Sequence, residues 1–147
     1  MSILNYTTTI AVDKTVSEIQ KLLAGARAQA VLTEYDTEGV LTAISFRVMC
    51  PYGMMSFRLP ANVDKIFAVV LRSGKIPKWN RTREQASRVA WRIIKDWLEA
   101  QLALIQAEMV TLEQVFLPYA QNGAGVTVYE SLQAGQFNGL ALPATRQ

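Results

Sequence analysis

The chain is predicted to be α+β: an antiparallel sheet of about four strands with an early helix, packed against a C-terminal helical half that includes one long amphipathic helix. Three observations predict it. Before Pro60 the apolar residues fall in short runs with period-2 alternation, separated by turn sequences such as Asp36-Thr37-Glu38-Gly39 and Pro51-Tyr52-Gly53. After Pro60 the apolar spacing changes to three and four, and neither glycine nor proline interrupts residues 82–107. Finally, Thr-x-x-Glu or Thr-x-x-Gln recurs at Thr15, Thr82 and Thr111. At that spacing a threonine hydroxyl and an acid or amide side chain satisfy each other's backbone N–H at a helix start.

The elements follow in order. Threonine alternating with isoleucine and valine over residues 6–12 reads as a strand with one buried face. Thr15-Val16-Ser17-Glu18 opens a helix carrying Val16, Ile19, Leu22 and Leu23 at helical spacing, and Gly25 offers a stop. Residues 28–35 and 40–49 are two strands joined by Asp36-Thr37-Glu38-Gly39 as a hairpin, and 54–59 is the next strand of the meander. Val63, Ile66, Phe67, Val70 and Leu71 form an apolar stripe over 61–73, a helix laid on the sheet and ended by Gly74. The loop 74–81 breaks the chain with glycine and proline. Thr82-Arg83-Glu84-Gln85 then starts the long helix, with Ala86, Ala90, Ile93, Trp97 and Leu104 on one face and Ile94, Leu98, Leu102 and Ile105 widening it. Thr111-Leu112-Glu113-Gln114 starts a further helix carrying Val115, Phe116 and Tyr119; Asn122-Gly123-Ala124-Gly125 is a turn, and 126–132 a short element. Residues 1–134 read as one domain and 135–147 as a mobile tail.

Composition excludes much chemistry. With 147 residues, half of them apolar, the chain can bury a core of its own. No run of apolar residues is long enough to span a bilayer and the N-terminus lacks a signal-like layout, so a cytoplasmic protein without a membrane partner is expected. Cys50 is alone, which excludes an internal disulfide, and in Met49-Cys50-Pro51-Tyr52 it reads as a small buried apolar group. Histidine is absent, which removes Ser-His-Asp and Cys-His catalysis and every histidine-containing zinc site. Glu34, Asp36 and Glu38 read as a polar hairpin turn rather than a cation loop. There is no Walker loop, no Gly-x-Gly-x-x-Gly after a strand and no zinc spacing. No catalytic residue, metal ligand or cofactor is expected, and the chain reads as a non-enzyme.

Charge supplies the positive signal. Eight of the fifteen basic residues lie between Arg72 and Lys95 with one acid, Glu84, and all three tryptophans, Trp79, Trp91 and Trp97, stand there or just beyond. Surfaces rich in Lys and Arg attract polyanions by releasing their condensed counterions. The candidate ligand-binding residues are Arg72, Lys75, Lys78, Trp79, Arg81, Arg83, Arg88, Trp91, Arg92 and Lys95. Arg88, Arg92 and Lys95 share one helix face, and the plain alternative is a solvated row clipped by Glu84 and Glu99, at about 0.3–0.5 kcal/mol per pair. Trp97 belongs with the core. Trp91 is read either as core or as a half-buried wall on which a guanidinium or base stacks. Trp79, in a polar loop between cations, is the strongest stacking candidate.

The segments Phe57-Arg58-Leu59-Pro60-Ala61-Asn62-Val63, Arg83-Glu84-Gln85-Ala86, Arg88-Val89-Ala90-Trp91-Arg92-Ile93-Ile94-Lys95-Asp96-Trp97 and Phe116-Leu117-Pro118-Tyr119 resemble a family of small proteins of bacteriophages, prophages and bacterial genomes. The likeness spans about residues 5–132. It implies a setting, a phage-type accessory protein inside a bacterial cell, and carries over no activity, ligand or residue role. The expectation is therefore a non-enzymatic binder of an anionic nucleotide or single-stranded nucleic acid, which in that setting handles single strands or sequesters a host nucleotide signal. The alternative is an oligomeric interaction or assembly module without nucleotide ligand.

Overall fold

The computed structural model describes residues 2–143, so Met1 and residues 144–147 of the expected tail lie outside the described residues. Among the described residues the architecture is α+β: a three-stranded antiparallel sheet in the order β1-β2-β3 and five α-helices. α1 is Val12–Gly25; β1 is Ala30–Tyr35, β2 Leu41–Cys50 and β3 Gly53–Pro60; α2 is Val63–Arg72, α3 Arg83–Gln106, α4 Leu112–Phe116 and α5 Val128–Ala134.

The sheet has three strands where about four were expected, because residues 6–12 do not pair with it. The chain turns over residues 4–7, with Thr8 N donating to Asn5 O at 3.0 Å, and enters α1 at Val12, and a side chain from α3 holds this irregular stretch. Gln85, 1% exposed on α3, donates its amide N–H groups to Tyr6 O at 3.1 Å and Thr8 O at 3.0 Å, while its oxygen accepts from Arg88 Nε at 2.8 Å. Asn5 adds a bond to Asp96 at 2.8 Å. One glutamine thus satisfies two carbonyls that a neighbouring strand would otherwise take. Gln85→Leu keeps the volume and orphans those groups, so a loss of about 1–3 kcal/mol of unfolding free energy is expected in urea denaturation. A loss below a few tenths would show that water replaces the amide without cost.

The first expected cap is displaced as well. α1 begins at Val12 behind Ala11, which offers no side-chain cap, and Thr15 lies inside the first turn, fully buried, its hydroxyl without a hydrogen-bond partner among the described residues. The helix ends at Gly25, as expected, and just beyond it Arg27 takes φ +67° while Ala28 N donates back to Leu23 O at 2.9 Å. Of the later caps, Thr111/Gln114 closes in both directions as expected, and Thr82 forms half of its box, accepting from Gln85 N while the Gln85 side chain is used elsewhere; Thr127/Glu130 closes a box that the sequence reading missed.

Asp36 tightens the β1–β2 hairpin. Asp36 accepts from the N–H of Glu38 and of Val40, both at 2.9 Å, and Gly39 takes φ +81°, a left-handed turn position that glycine occupies at no steric cost. The inward face of the sheet, Ile44, Phe46, Val48, Phe57 and Leu59, packs in one cluster with Ile19 and Leu23 of α1, Trp91 and Leu98 of α3, and Phe116 of α4. Phe46 stacks on Phe57 at 5.3 Å and meets Phe116 edge-on at 5.4 Å. α2 packs on α3 rather than on the sheet. Val63 and Val70 join Ile76, Ala86 and Ala90 in a second, smaller cluster, because the alanines at 86 and 90 let the helices approach. Past α5 the chain turns back, with Phe137 N donating to Leu132 O at 2.8 Å and its ring 5.7 Å from that of Tyr129.

Candidate functional site

The cations that cluster in sequence separate in space into two groups. The group on α3 is committed internally. Arg92 pairs with Glu18 of α1, its side chain 14% exposed, and Lys95 pairs with Glu99 and with Asp96 at 3.8 Å. Arg83 bridges to Asp64 of α2 at 2.6 Å and lies 5.6 Å from the Phe67 ring centre. Arg88 donates to the buried Gln85. The acids that neutralise this row come from outside the basic segment, which is why the local sequence surplus overstates the field.

Trp91 corrects the reading of a stacking wall. It is fully buried, and its indole N–H donates to Leu41 O at 3.3 Å, tying α3 to the start of β2. Trp97 is half-buried and edge-on to Phe116 and Tyr119, both at 5.7 Å, as a core residue should be.

The second group is the α2–α3 connection, and it faces water. Arg72, Lys75 and Lys78 are exposed and make no ion pair among the described residues, and Trp79 is 79% exposed. The segment is nevertheless fixed. Ile76 is 2% exposed in the cluster shared by α2 and α3. Arg81 Nε donates to Ile76 O at 2.8 Å, clipping the two ends of the connection together. Between them Pro77 enters a single 3₁₀ turn, Lys78–Asn80, closed by Asn80 N to Pro77 O at 2.9 Å. A buried isoleucine and an arginine clip hold the turn that carries Lys78 and the exposed indole. Sequence reading missed that Ile76 anchors this loop; its signal was one apolar residue inside a polar stretch.

Enclosed space lies elsewhere. Clefts of about 320 to 680 Å³ open between α1, α3 and the hairpin, between α1 and the end of α3, and along the sheet. The cleft of about 480 Å³ between α1, α3 and the hairpin brings Arg83 and Arg88 together with Asp13, Glu38 and Glu84, a balance that does not select an anion. Cys50 is buried, and burial followed by the nearby Glu113 pushes its thiol pKa up, away from the thiolate that nucleophilic chemistry needs. Among the described residues no group of acids and cysteine gathers as metal ligands, and no helix is long and apolar enough to cross a membrane.

The Glu18–Arg92 pair gives an acid-limb prediction. The hydrogen bond from Arg92 holds the Glu18 carboxyl below its ordinary range. A depressed folded-state pKa stabilises the protein above the unfolded value, about 4.3, and that contribution is lost as pH falls through the lower folded value. Thermal melts between pH 7 and pH 3 are expected to show a shallower acid decline for Glu18→Gln than for the parent. Equal slopes would place the acid sensitivity elsewhere.

Compared with known proteins, the chain matches no family model, no curated protein and no solved structure, so its functional reading rests on the residues described above.

Proposed function

We propose that the chain is a non-enzymatic binder of single-stranded nucleic acid, engaging it through the α2–α3 connection, with Arg72, Lys75 and Lys78 for phosphate and Trp79 for a base. The observation that carries the reading is Trp79, 79% exposed on a pinned turn beside cations that no internal acid neutralises. Burying an indole stabilises a fold, and leaving one in water forgoes that gain. An open stacking surface suits a strand, whose bases present π-faces whatever their sequence. The exposure of Trp79 on an outward-facing turn suits a strand laid across the surface better than a small nucleotide enclosed on all sides. Sequestration of a free nucleotide, as the genomic setting implied by the resemblance suggests, remains the competing form of the same chemistry.

The test is a titration of labelled oligothymidylate, a cyclic dinucleotide and a duplex of equal length, followed by tryptophan emission. Trp91 is sealed and Trp97 half-buried, so quenching reports mainly on Trp79. With three phosphate-neutralising cations, log Kd is expected to rise with log salt at a slope of about 2 for single strands. Binding of the dinucleotide alone would replace the strand by a signal molecule. No binding of any of the three anions would retire the reading.

A second copy of the chain is the other partner the surface favours. The sheet leaves Leu32, Met49 and Met54 exposed on its outer face, so we read the protein as a homo-oligomer.

A further inference from the structure

Among the described residues, one edge of the sheet is closed by a neighbouring segment and the other is left open. Along β3, Gln121 N donates to Ser56 O at 2.8 Å and Ala120 bridges antiparallel to Phe57. β1 is the opposite edge. Asp36 N donates to Val40 O across the hairpin, so the even-numbered residues of that strand direct their backbone groups at β2. Alternation then turns the N–H and C=O of Val31 and Thr33 outward, away from the sheet. Natural edges are usually blunted by lysine, proline, an inward charge or a cover. Residues 30–35, Ala-Val-Leu-Thr-Glu-Tyr, carry no lysine or proline, and Arg58 already holds their one charge, Glu34.

The outer face beside this edge is self-complementary. Ala30 is the partner of Arg47 on β2, and Glu34 the partner of Ala43. If Leu32 is set opposite Leu32 of a second copy, Ala30 falls opposite Glu34 of that copy. Each end of the seam then reads Arg47, Ala30, and the second copy's Glu34 and Ala43. Strand spacing puts the backbones of Arg47 and the second copy's Glu34 about 10 Å apart, with only the Ala30 methyl between them. The two long side chains can meet over it. Both groups have capacity to spare: Arg58 takes Glu34 Oε2 at 3.0 and 2.9 Å, leaving Oε1, and Arg47 is exposed with no ion pair among the described residues. Leu32, 59% exposed, meets its own copy at the centre, an apolar middle between two charge pairs.

We infer that β1 pairs antiparallel with β1 of a second copy about a two-fold axis at Leu32, joining two three-stranded sheets into one of six; the inference rests on the reading that the chain self-associates. Sedimentation velocity and mass photometry of the parent chain are expected to show a dimer at micromolar concentration. Leu32→Lys is expected to weaken it at least tenfold with an unchanged far-ultraviolet circular dichroism spectrum. Leu32→Cys is expected to form a covalent dimer under mild oxidation, because cross-strand Cβ atoms in non-hydrogen-bonded pairs lie within disulfide reach. Tyr52→Cys, on the β2–β3 turn and 90% exposed, is expected to stay uncrosslinked, and the native Cys50 is buried. Hydrogen exchange on the parent chain needs no variant: Val31 and Thr33 amides are expected to be as protected as those of β2. A strict monomer overturns both the self-association and the seam. A dimer that Leu32→Lys does not weaken and Leu32→Cys does not crosslink, with fast exchange at Val31 and Thr33, overturns the seam alone.

Discussion

Trp91→Ala is expected to lower the unfolding free energy by about 3–5 kcal/mol. The residue is fully buried, and it heads the largest enclosed side chains of the molecule. Removing it empties the space between α3 and the sheet and orphans the Leu41 carbonyl that its indole N–H satisfies. Against a typical total of 5–15 kcal/mol, the variant keeps little margin. Trp91→Phe separates the two contributions: most of the volume stays while the carbonyl loses its donor, for about 1–3 kcal/mol. Urea denaturation followed by circular dichroism measures both. A loss under about 1 kcal/mol for the alanine variant would contradict the enclosure described.

Trp79→Ala is expected to behave in the opposite way. Its side chain is mostly in water, so unfolding free energy is expected to move by no more than about 0.5 kcal/mol. Affinity for a single strand is expected to fall by about 1–3 kcal/mol, on the order of 5- to 150-fold, with the salt slope retained because the phosphate contacts remain. Reversing Arg72, Lys75 and Lys78 to glutamate is expected to abolish binding at low salt and to flatten that slope. Two variants that share a fold yet differ in slope distinguish base stacking from charge. Equal affinity in Trp79→Ala would move the interface off the connection.

Much of the fold was readable because its determinants are local. The Asp36-Thr37-Glu38-Gly39 hairpin, the threonine caps at 82 and 111, and the interruption at Gly74 each depend on residues within a few positions of one another. What failed to read depends on distant partners. Residues 6–12 alternate as a strand would, but they turn, run irregularly and enter α1 at Val12, and Gln85 satisfies the carbonyls of Tyr6 and Thr8 from nearly eighty positions away. Trp91 was ambiguous for a similar reason. α3 is wrapped by α1, α2 and the sheet through its first turns, burying 85, 86, 87, 89, 90 and 91, an arc wider than a single amphipathic stripe. The charge cluster misled in the same direction: Glu18 and Asp64, far along the chain, neutralise cations that the local count leaves free.

The Ile76 anchor has a kinetic consequence. Binding to a slack loop spends part of the contact energy on immobilising it, and such sites show slow or biphasic capture. This turn is already immobilised when the protein folds, by the isoleucine beneath it and the Arg81 guanidinium across its ends. Association is therefore expected to proceed in one concentration-dependent phase, with a rate that declines as ionic strength rises, and encounter rather than rearrangement sets its pace.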